Sequence, residues 1–274
     1  MKFSVVIVSR NRHQLLDIAL KSVVESCRVA GESKVEIIII DNFSDRPIEV
    51  GRVDPMICLK VIRNEELRQA SVNRNIGIMN SSCEFVSFLD DDDYYYPEKF
   101  LDIRREIESG ENYDFFYGAT EQIGENGAHI CRSFGPAEIT HLLHYRYIHL
   151  NSIVVKRSAF EKIKFNEMME TYEDLEFVAR LVLTCRGKAI NRYHSCWIRD
   201  GRPDQLTNKN YPRAYQNWLI LCDEFSEIIT ASRRLSWFYH RKMFLLSLLQ
   251  MKFGIALRSA VIIALSKLRA PRNS

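Results

Sequence analysis

Two apolar, β-branched runs at residues 3–8 and 35–40 flank a segment in which Leu16, Ala19, Leu20, Val23 and Cys27 recur at helical spacing. Continuous runs of this kind belong to strands buried on both faces of a parallel sheet, and the helical stripe supplies the crossover between them. A third strand is expected at 57–62, a helix at 70–80 and a fourth strand at 85–89. Pro97 suits the first position of the next helix, because its missing N–H has no partner there anyway. This order predicts an α/β fold: a Rossmann-like, mostly parallel sheet flanked by helices.

The segment 113–156 is less regular, with strand candidates at 114–117 and 151–156. Leu175, Val178, Ala179 and Val182 then mark a helix whose start is signalled by Thr171, three residues before Asp174, a capping-box spacing. A polar loop at 199–210 follows, and helices dominate afterwards. At 274 residues and 46% hydrophobic, the chain can bury a full core. Its seven cysteines are odd in number and include no Cys-x-x-Cys, which argues against a disulfide framework or a zinc site and fits a reducing cytoplasm. The apolar stretch at 3–8 is too short for a signal peptide.

Asp90, Asp91, Asp92 and Asp93 stand together at the end of the fourth predicted strand, before Tyr94, Tyr95 and Tyr96. Each close carboxylate pair costs roughly 1 kcal/mol at ~4 Å in water and about 4 near a protein surface. A cation removes that cost, and hard oxygen ligands select Mg²⁺ or Mn²⁺, ions that also bind substrate phosphates. The competing reading is a solvated acidic loop. A calcium loop counted from Asp90 needs glycine at position six and glutamate at twelve, where this chain has Tyr95 and Leu101. Ligands of open α/β sheets sit outside the carboxyl ends of the strands, where this cluster lies.

Asp41 also follows a buried strand directly, either as a ligand for a ribose or base N–H or as a turn former. Ser9, Arg10, Asn11 and Arg12 end the first strand, and the helix at 70–80 carries Arg74 and Asn75, close after Arg68. Basic groups converging on one sheet edge suit a phosphate-bearing ligand. His144, His149 and His194 lack His-x-x-x-His spacing and read as structural or acceptor-side residues. The three tyrosines either stack on a sugar or pack beneath the aspartate loop.

In order, residues 5–12, 40–45, 73–77 and 88–93 resemble the successive motifs of the inverting family 2 glycosyltransferases with a GT-A fold. The resemblance covers about the first 200 residues. It implies that Ser9, Arg10 and Asp41 hold the nucleotide base, that Asp90 and Asp91 lie near the ribose, and that Asp92 binds the Mn²⁺ or Mg²⁺ bridging the diphosphate. Arg74 and Asn75 match the Arg-Asn pair beside the donor. Glu173 and Asp174, followed by Arg180 and Leu181, resemble the acidic pair whose aspartate is the general base. Two positions depart from the pattern: Arg10 stands where tyrosine is frequent, and Asp200 where the late loop over the diphosphate often has histidine.

Nine of the 38 Lys/Arg but one of the 35 Asp/Glu lie in residues 225–274. The expected organisation is a catalytic domain at 1–224 (nucleotide-binding half 1–110, acceptor half 111–224) and a basic helical tail at 225–274. Trp, Leu and basic residues suit a helix in an anionic membrane interface, while Lys252 and Arg258 interrupt any bilayer-spanning stretch. The alternatives are packing on the domain or a homodimer. Nucleic acid is disfavoured by the apolar content and the lack of a motif. The reading is a metal-dependent transfer of sugar from a nucleotide-sugar donor, UDP-linked, to a hydroxyl of a glycan or lipid-linked oligosaccharide. It would act in surface polysaccharide synthesis, in the cytoplasm at the inner face of the cell membrane. The rivals are a sugar nucleotidylyltransferase, which wants a glycine-rich loop where residues 9–12 have none, and a non-catalytic membrane-associated partner of the same fold.

Overall fold

The computed structural model describes residues 3–51, 54–124, 127, 129–132, 135, 137–144, 148–199, 201, 213–249 and 253–268. The first half alternates as expected: β1 (Phe3–Ser9), α1 (His13–Val29), β2 (Val35–Asp41), β3 (Ile57–Arg63), α2 (Ala70–Met79) and β4 (Phe85–Asp90). β3, β2, β1 and β4 lie side by side, all parallel, with β1 and β2 buried along almost their whole length. Parallel strands need crossovers, and α1 and α2 supply them on opposite faces. Leu16, Ala19, Leu20, Val23 and Cys27 are the buried stripe of α1.

The second half turns the sheet mixed. It comprises β5 (Tyr94–Tyr95), α3 (Lys99–Glu108), β6 (Phe115–Gly124), β7 (His129–Arg132), α4 (Ile139–His144), β8 (Ile153–Lys156), α5 (Glu173–Thr184) and β9 (Gly187–Arg199). Beyond β4 the order continues β8, β6, β9, β5, with β7 paired to β6; β8 is antiparallel to both β4 and β6, and β9 runs parallel to β6. The sheet thus divides two cores. Phe3, Phe100, Leu89 and Tyr95 pack with α1 and α3 on one face, and Val86, Phe88, Phe165 and Phe177 pack with α2 and α5 on the other.

Four local expectations need correction. Pro97 lies in the turn before α3, whose first helical residue is Lys99 and whose N-cap is Glu98. Residues 150–152 form a 3-10 turn, so the strand expected from 151 begins at Ile153. The capping box at Thr171 does not form: Tyr172 is the N-cap of α5 with φ 63°, and the Thr171 hydroxyl donates instead to the side-chain oxygen of Asn217 at 3.1 Å. The 13-residue β9 occupies ground where no strand was expected.

The tail is α6 (Ala214–Glu224), α7 (Ser226–Ala231), α8 (Arg233–Leu249) and α9 (Phe253–Leu268). The expected boundary at 224/225 falls inside one packed unit, since Trp218, Phe225, Ile229, Leu235, Tyr239 and Met243 share the core of α5. Trp218 stacks on Tyr239 at 4.5 Å and donates its indole N–H to the Tyr239 carbonyl. α9 is different, exposing Leu257 and Val261. Among the described residues, no helix is long and apolar enough to cross a membrane.

One buried acid anchors the nucleotide half. Glu36 in β2 is 1% exposed and accepts from Ser4 Oγ, Ser82 Oγ, the Ser82 N–H and Lys60 Nζ. Burial alone would raise its pKa, but these donors outweigh it and hold the carboxyl at about 2. A depressed folded-state value stabilises above the unfolded value of about 4.3 and loses that stability as pH falls toward the folded one. Glu36→Gln is therefore expected to lower stability at pH 7 by about 3 kcal/mol and to flatten the loss between roughly pH 4 and 2. Urea titrations across that range, with and without the substitution, check it.

Candidate active site

The aspartate run leaves the carboxyl end of β4 and is clamped from the side by Asn151. Asn151 Oδ1 accepts the Asp90 N–H at 3.1 Å, and its Nδ2 donates to Asp93 Oδ2 at 2.6 Å. The other Asp93 oxygen accepts the Ile198 N–H of β9 at 2.8 Å. Asn151 is itself fixed by Lys99, whose Nζ donates to the Asn151 carbonyl at 2.6 Å and to Ser87 Oγ at 2.9 Å. Lys99 is fully buried, 3.5 Å from the Tyr95 ring centroid, and burial pushes its pKa well down. Burial, then Asp90 and Asp92, push the Asp93 carboxyl well above the usual range.

Asp91 and Asp92 face the turn after β1. Asp91 is buried, accepting from Ser9 Oγ at 2.6 Å and Arg12 Nη1 at 2.8 Å, and the same Arg12 nitrogen reaches Asp92 at 3.1 Å. Arg10, the expected nucleotide contact, is exposed, so Arg12 is the basic residue of this turn that meets the acids. The turn is locked by Asn11, which sits at φ 57° and exchanges hydrogen bonds with Asp45.

Across the cleft, Arg74 of α2 joins the two halves of the chain. Its guanidinium donates to Asp90 at 3.2 Å and to Glu173 at 2.9 Å, and it lies 5.5 Å from the Phe165 ring centroid. Asp174 follows on the first turn of α5, its Oδ1 accepting the Leu175 N–H at 2.8 Å. Burial raises the Asp174 pKa; Arg74 works against the rise and Asp90 adds to it. A carboxylate with a raised pKa in a cleft beside a fixed cation has the character of a general base.

Two expected ligand contacts are occupied by the fold itself. Asp41 is fully buried; its carboxylate accepts from the Ser44 and Ile48 N–H groups and from Arg63, closing the loop after β2. Asn75 exchanges both amide groups with the Phe165 backbone and also donates to Glu167. Both residues therefore position loops. Ser9 does the same for Asp91. The expected late loop lies outside the described residues at Asp200 and at 202–207.

The residues compatible with a divalent cation also differ from expectation. Asp90, Asp93 and His149 each offer one ligand atom, and these atoms lie within 4.8 Å of one another. Asp92, the expected metal ligand, is turned to Arg12 and is not one of the three. His149 reads from sequence as a structural or acceptor-side residue, because no second histidine stands at helical spacing. Its partners instead arrive from the loop after β4, a long-range meeting that no local spacing signals. It also caps the 3-10 turn, its Nδ1 accepting the Asn151 N–H at 3.3 Å. The two acids supply the oxygen ligands that Mn²⁺ and Mg²⁺ take, and the imidazole shifts the set toward Mn²⁺ or another first-row ion rather than Mg²⁺. An open cavity of about 510 Å³ lies elsewhere, on the side of α5 carrying Glu176 and Arg180, and none of its lining residues belongs to this centre.

The comparisons with known proteins point to one family. An uncharacterized glycosyltransferase of Haemophilus influenzae is 29% identical over 185 residues, covering 65% of this chain and 61% of that protein. The uncharacterized glycosyltransferase YwdF of Bacillus subtilis is 30% identical over 121 residues, covering 44% and 42%. The chain thus spans less than two thirds of the length of these relatives. Among solved structures, Staphylococcus aureus TarS 1–349 in complex with UDP-GlcNAc has a TM-score of 0.66 at 18% identity, over 82% of this chain and 66% of that one. Its complex with UDP gives 0.60 at 17% identity, over 100% and 93%. These likenesses establish a shared GT-A fold. The model of glycosyl transferase family 2 matches residues 4–163, more than half of the chain, and the protein belongs to that family.

Proposed function

We propose that the protein is an inverting glycosyltransferase that uses a nucleotide-sugar donor, a UDP-sugar, and a hydroxyl of a glycan or lipid-linked oligosaccharide. The observation that carries this reading is the Arg74 bridge, which holds donor-side Asp90 and the start of α5 in one cleft. In the reaction the acceptor oxygen bonds to the anomeric carbon, the bond from that carbon to the diphosphate oxygen breaks, and Asp174 takes the hydroxyl proton. Arg74 opposes the rise in the Asp174 pKa that burial causes. Asp90, Asp93 and His149 would hold the metal. A bound divalent cation supplies positive charge to the departing diphosphate. Support for the donor comes from TarS, whose structures hold UDP-GlcNAc and UDP.

Incubating the protein with a panel of nucleotide sugars and Mn²⁺ tests the reading; no hydrolysis or transfer from any of them sinks it. Asp174→Asn is expected to lower transfer by about 10²–10⁴-fold with nucleotide affinity retained. Because the folded pKa of Asp174 is raised, wild-type transfer should fall on the acid side at a pH above the ordinary carboxylate value of about 3.9. Asn151→Ala is expected to weaken Mn²⁺ binding about 10–100-fold, as lost supporting contacts do at metal centres, measured by isothermal titration.

We also infer that the tail touches an anionic membrane surface. Leu245 and Leu248 of α8 and Leu257, Val261 and Ile262 of α9 are exposed, with Arg258 on the same hairpin. This placement would bring the site to the inner face of a cell membrane and to a lipid-linked acceptor. Leu257→Asp with Val261→Asp should abolish sedimentation with phosphatidylglycerol vesicles. Unchanged sedimentation refutes the contact, and a shift from dimer to monomer on sizing would assign the face to a second copy instead.

A further inference from the structure

All three residues that converge on the candidate metal centre hydrogen-bond to Asn151. Its side-chain oxygen accepts the Asp90 N–H, its amide nitrogen donates to Asp93, and its backbone N–H donates to His149 Nδ1. Asn151 is fully buried, and its remaining polar atom, the carbonyl oxygen, accepts from Lys99 Nζ at 2.6 Å. The same amine donates to Ser87 Oγ at 2.9 Å, which ties the start of α3 to β4. We propose that Lys99 is a positioning residue for the centre, aiming Asp90, Asp93 and His149 through Asn151. This rests on the metal-assisted glycosyltransferase reading and adds to it a residue that acts on the centre from two contacts away.

Local rules disfavour a lysine at this position. Lys99 is the first residue of α3, where the positive end of the helix dipole repels a cation. It has no exposed surface, and both acceptors of its amine are neutral. Burial accordingly pushes its pKa well down. The Tyr95 ring, 3.5 Å from the amine, returns part of the cost. An apolar side chain of the same length would fill the space without any such cost, as Phe100 and Ile103 of the same helix do in the surrounding core. Departures from local rules of this kind are expected where a site is being served.

The link from the amine to the centre is short. Asn151 sits in the 3-10 turn at 150–152, directly before β8. Its backbone is held on one side by His149 and on the other by Lys99, so the two ends of its amide reach Asp90 and Asp93 in one orientation. Without the amine the buried carbonyl loses this donor, a cost that a rotation of the turn relieves. The same rotation turns the amide away from Asp93 and shifts the imidazole it steadies. Groups that orient metal ligands in this way tune affinity without touching the ion.

The test uses the full chain, Mn²⁺ titration calorimetry and, without metal, amide hydrogen exchange. Lys99→Met keeps the length of the side chain and removes its donor. It should melt no lower than wild type, because the buried charge is gone, yet bind Mn²⁺ about tenfold more weakly. A purely structural lysine would not separate the two readouts in this way. In the metal-free protein the Asp90 and Asn151 amides should exchange faster than in wild type, with those of α1 unchanged. Lys99→Met combined with Asn151→Ala should bind Mn²⁺ no more weakly than Asn151→Ala alone, because both act on one link. Wild-type affinity and exchange in Lys99→Met, additive losses in the double variant, or a Lys99→Met chain that does not fold each overturn the proposal. Wild type that binds no Mn²⁺ sinks the candidate centre and this proposal with it, whereas unchanged binding in Lys99→Met sinks the proposal alone, so the two failures are told apart.

Discussion

The centre depends on one largely buried guanidinium. Asp90, Glu173 and Asp174 come from elements far apart in the chain, and their negative charges would push α5 away from β4. Arg74 sits between them, with hydrogen bonds to Asp90 and Glu173 and its plane near Phe165. Burial disfavours its charge, but Asp90, Glu173 and Asp174 more than compensate and raise its pKa. Breaking the Arg74–Glu173 pair, both of whose side chains are largely buried, costs about 3–5 kcal/mol, because the remaining charge stays buried without compensation. A lysine could neutralise one acid; the planar fork of arginine joins two in fixed directions. Arg74 is thus a folding contact and a site contact at once.

The same reasoning explains how four consecutive aspartates are tolerated. Asp90 meets Arg74, Asp91 meets Ser9 and Arg12, Asp92 meets Arg12, and Asp93 meets Asn151 and the Ile198 N–H. Asp90 is aimed by α2, Asp91 and Asp92 by the turn after β1, and Asp93 by Asn151 and β9, which spreads the run instead of leaving it a loose acidic loop. The strain that remains falls on Asp93, the member whose partners are neutral and whose pKa is pushed well up. Asp93 is also one of the three residues that converge with His149. Local repulsion and candidate metal position coincide.

Most of the nucleotide half was legible because its signals are local. Runs at 3–8 and 35–40 are apolar apart from Ser4 and Glu36, and the stripe of α1 has the helical period. β9 escaped because Gly187–Arg199 is largely exposed at its start and carries a bulge at His194, so neither alternation nor a continuous run is visible. Motif resemblance placed Asp41 and Asn75 at the ligand, yet their polar atoms are taken by Ser44, Ile48, Arg63 and Phe165. Those partners are set by loop paths that the motif does not encode. Arg12 lies inside the 5–12 motif, but its pairing with the acids is not encoded there; Asn151 and His149 have no motif of their own, and only the meeting of β4 and the 3-10 turn gives them a role.

The tail also bears on the chemistry, through the start of α5. Tyr172 caps that helix in a left-handed conformation that favours glycine, so something outside the helix must hold it there. The Tyr172 ring meets Trp218 edge to face at 5.3 Å, and Lys242 Nζ of α8 lies 4.2 Å from Tyr172 and 4.1 Å from Trp218. Burial lowers the Lys242 pKa to about 8, yet an ammonium over two ring faces still gains attraction. α6 and α8 therefore brace the residue immediately before Glu173 and Asp174. α8 of the basic tail is thus part of what aims the proposed base, while its Leu245 and Leu248 and the Leu257 and Val261 of α9 are exposed.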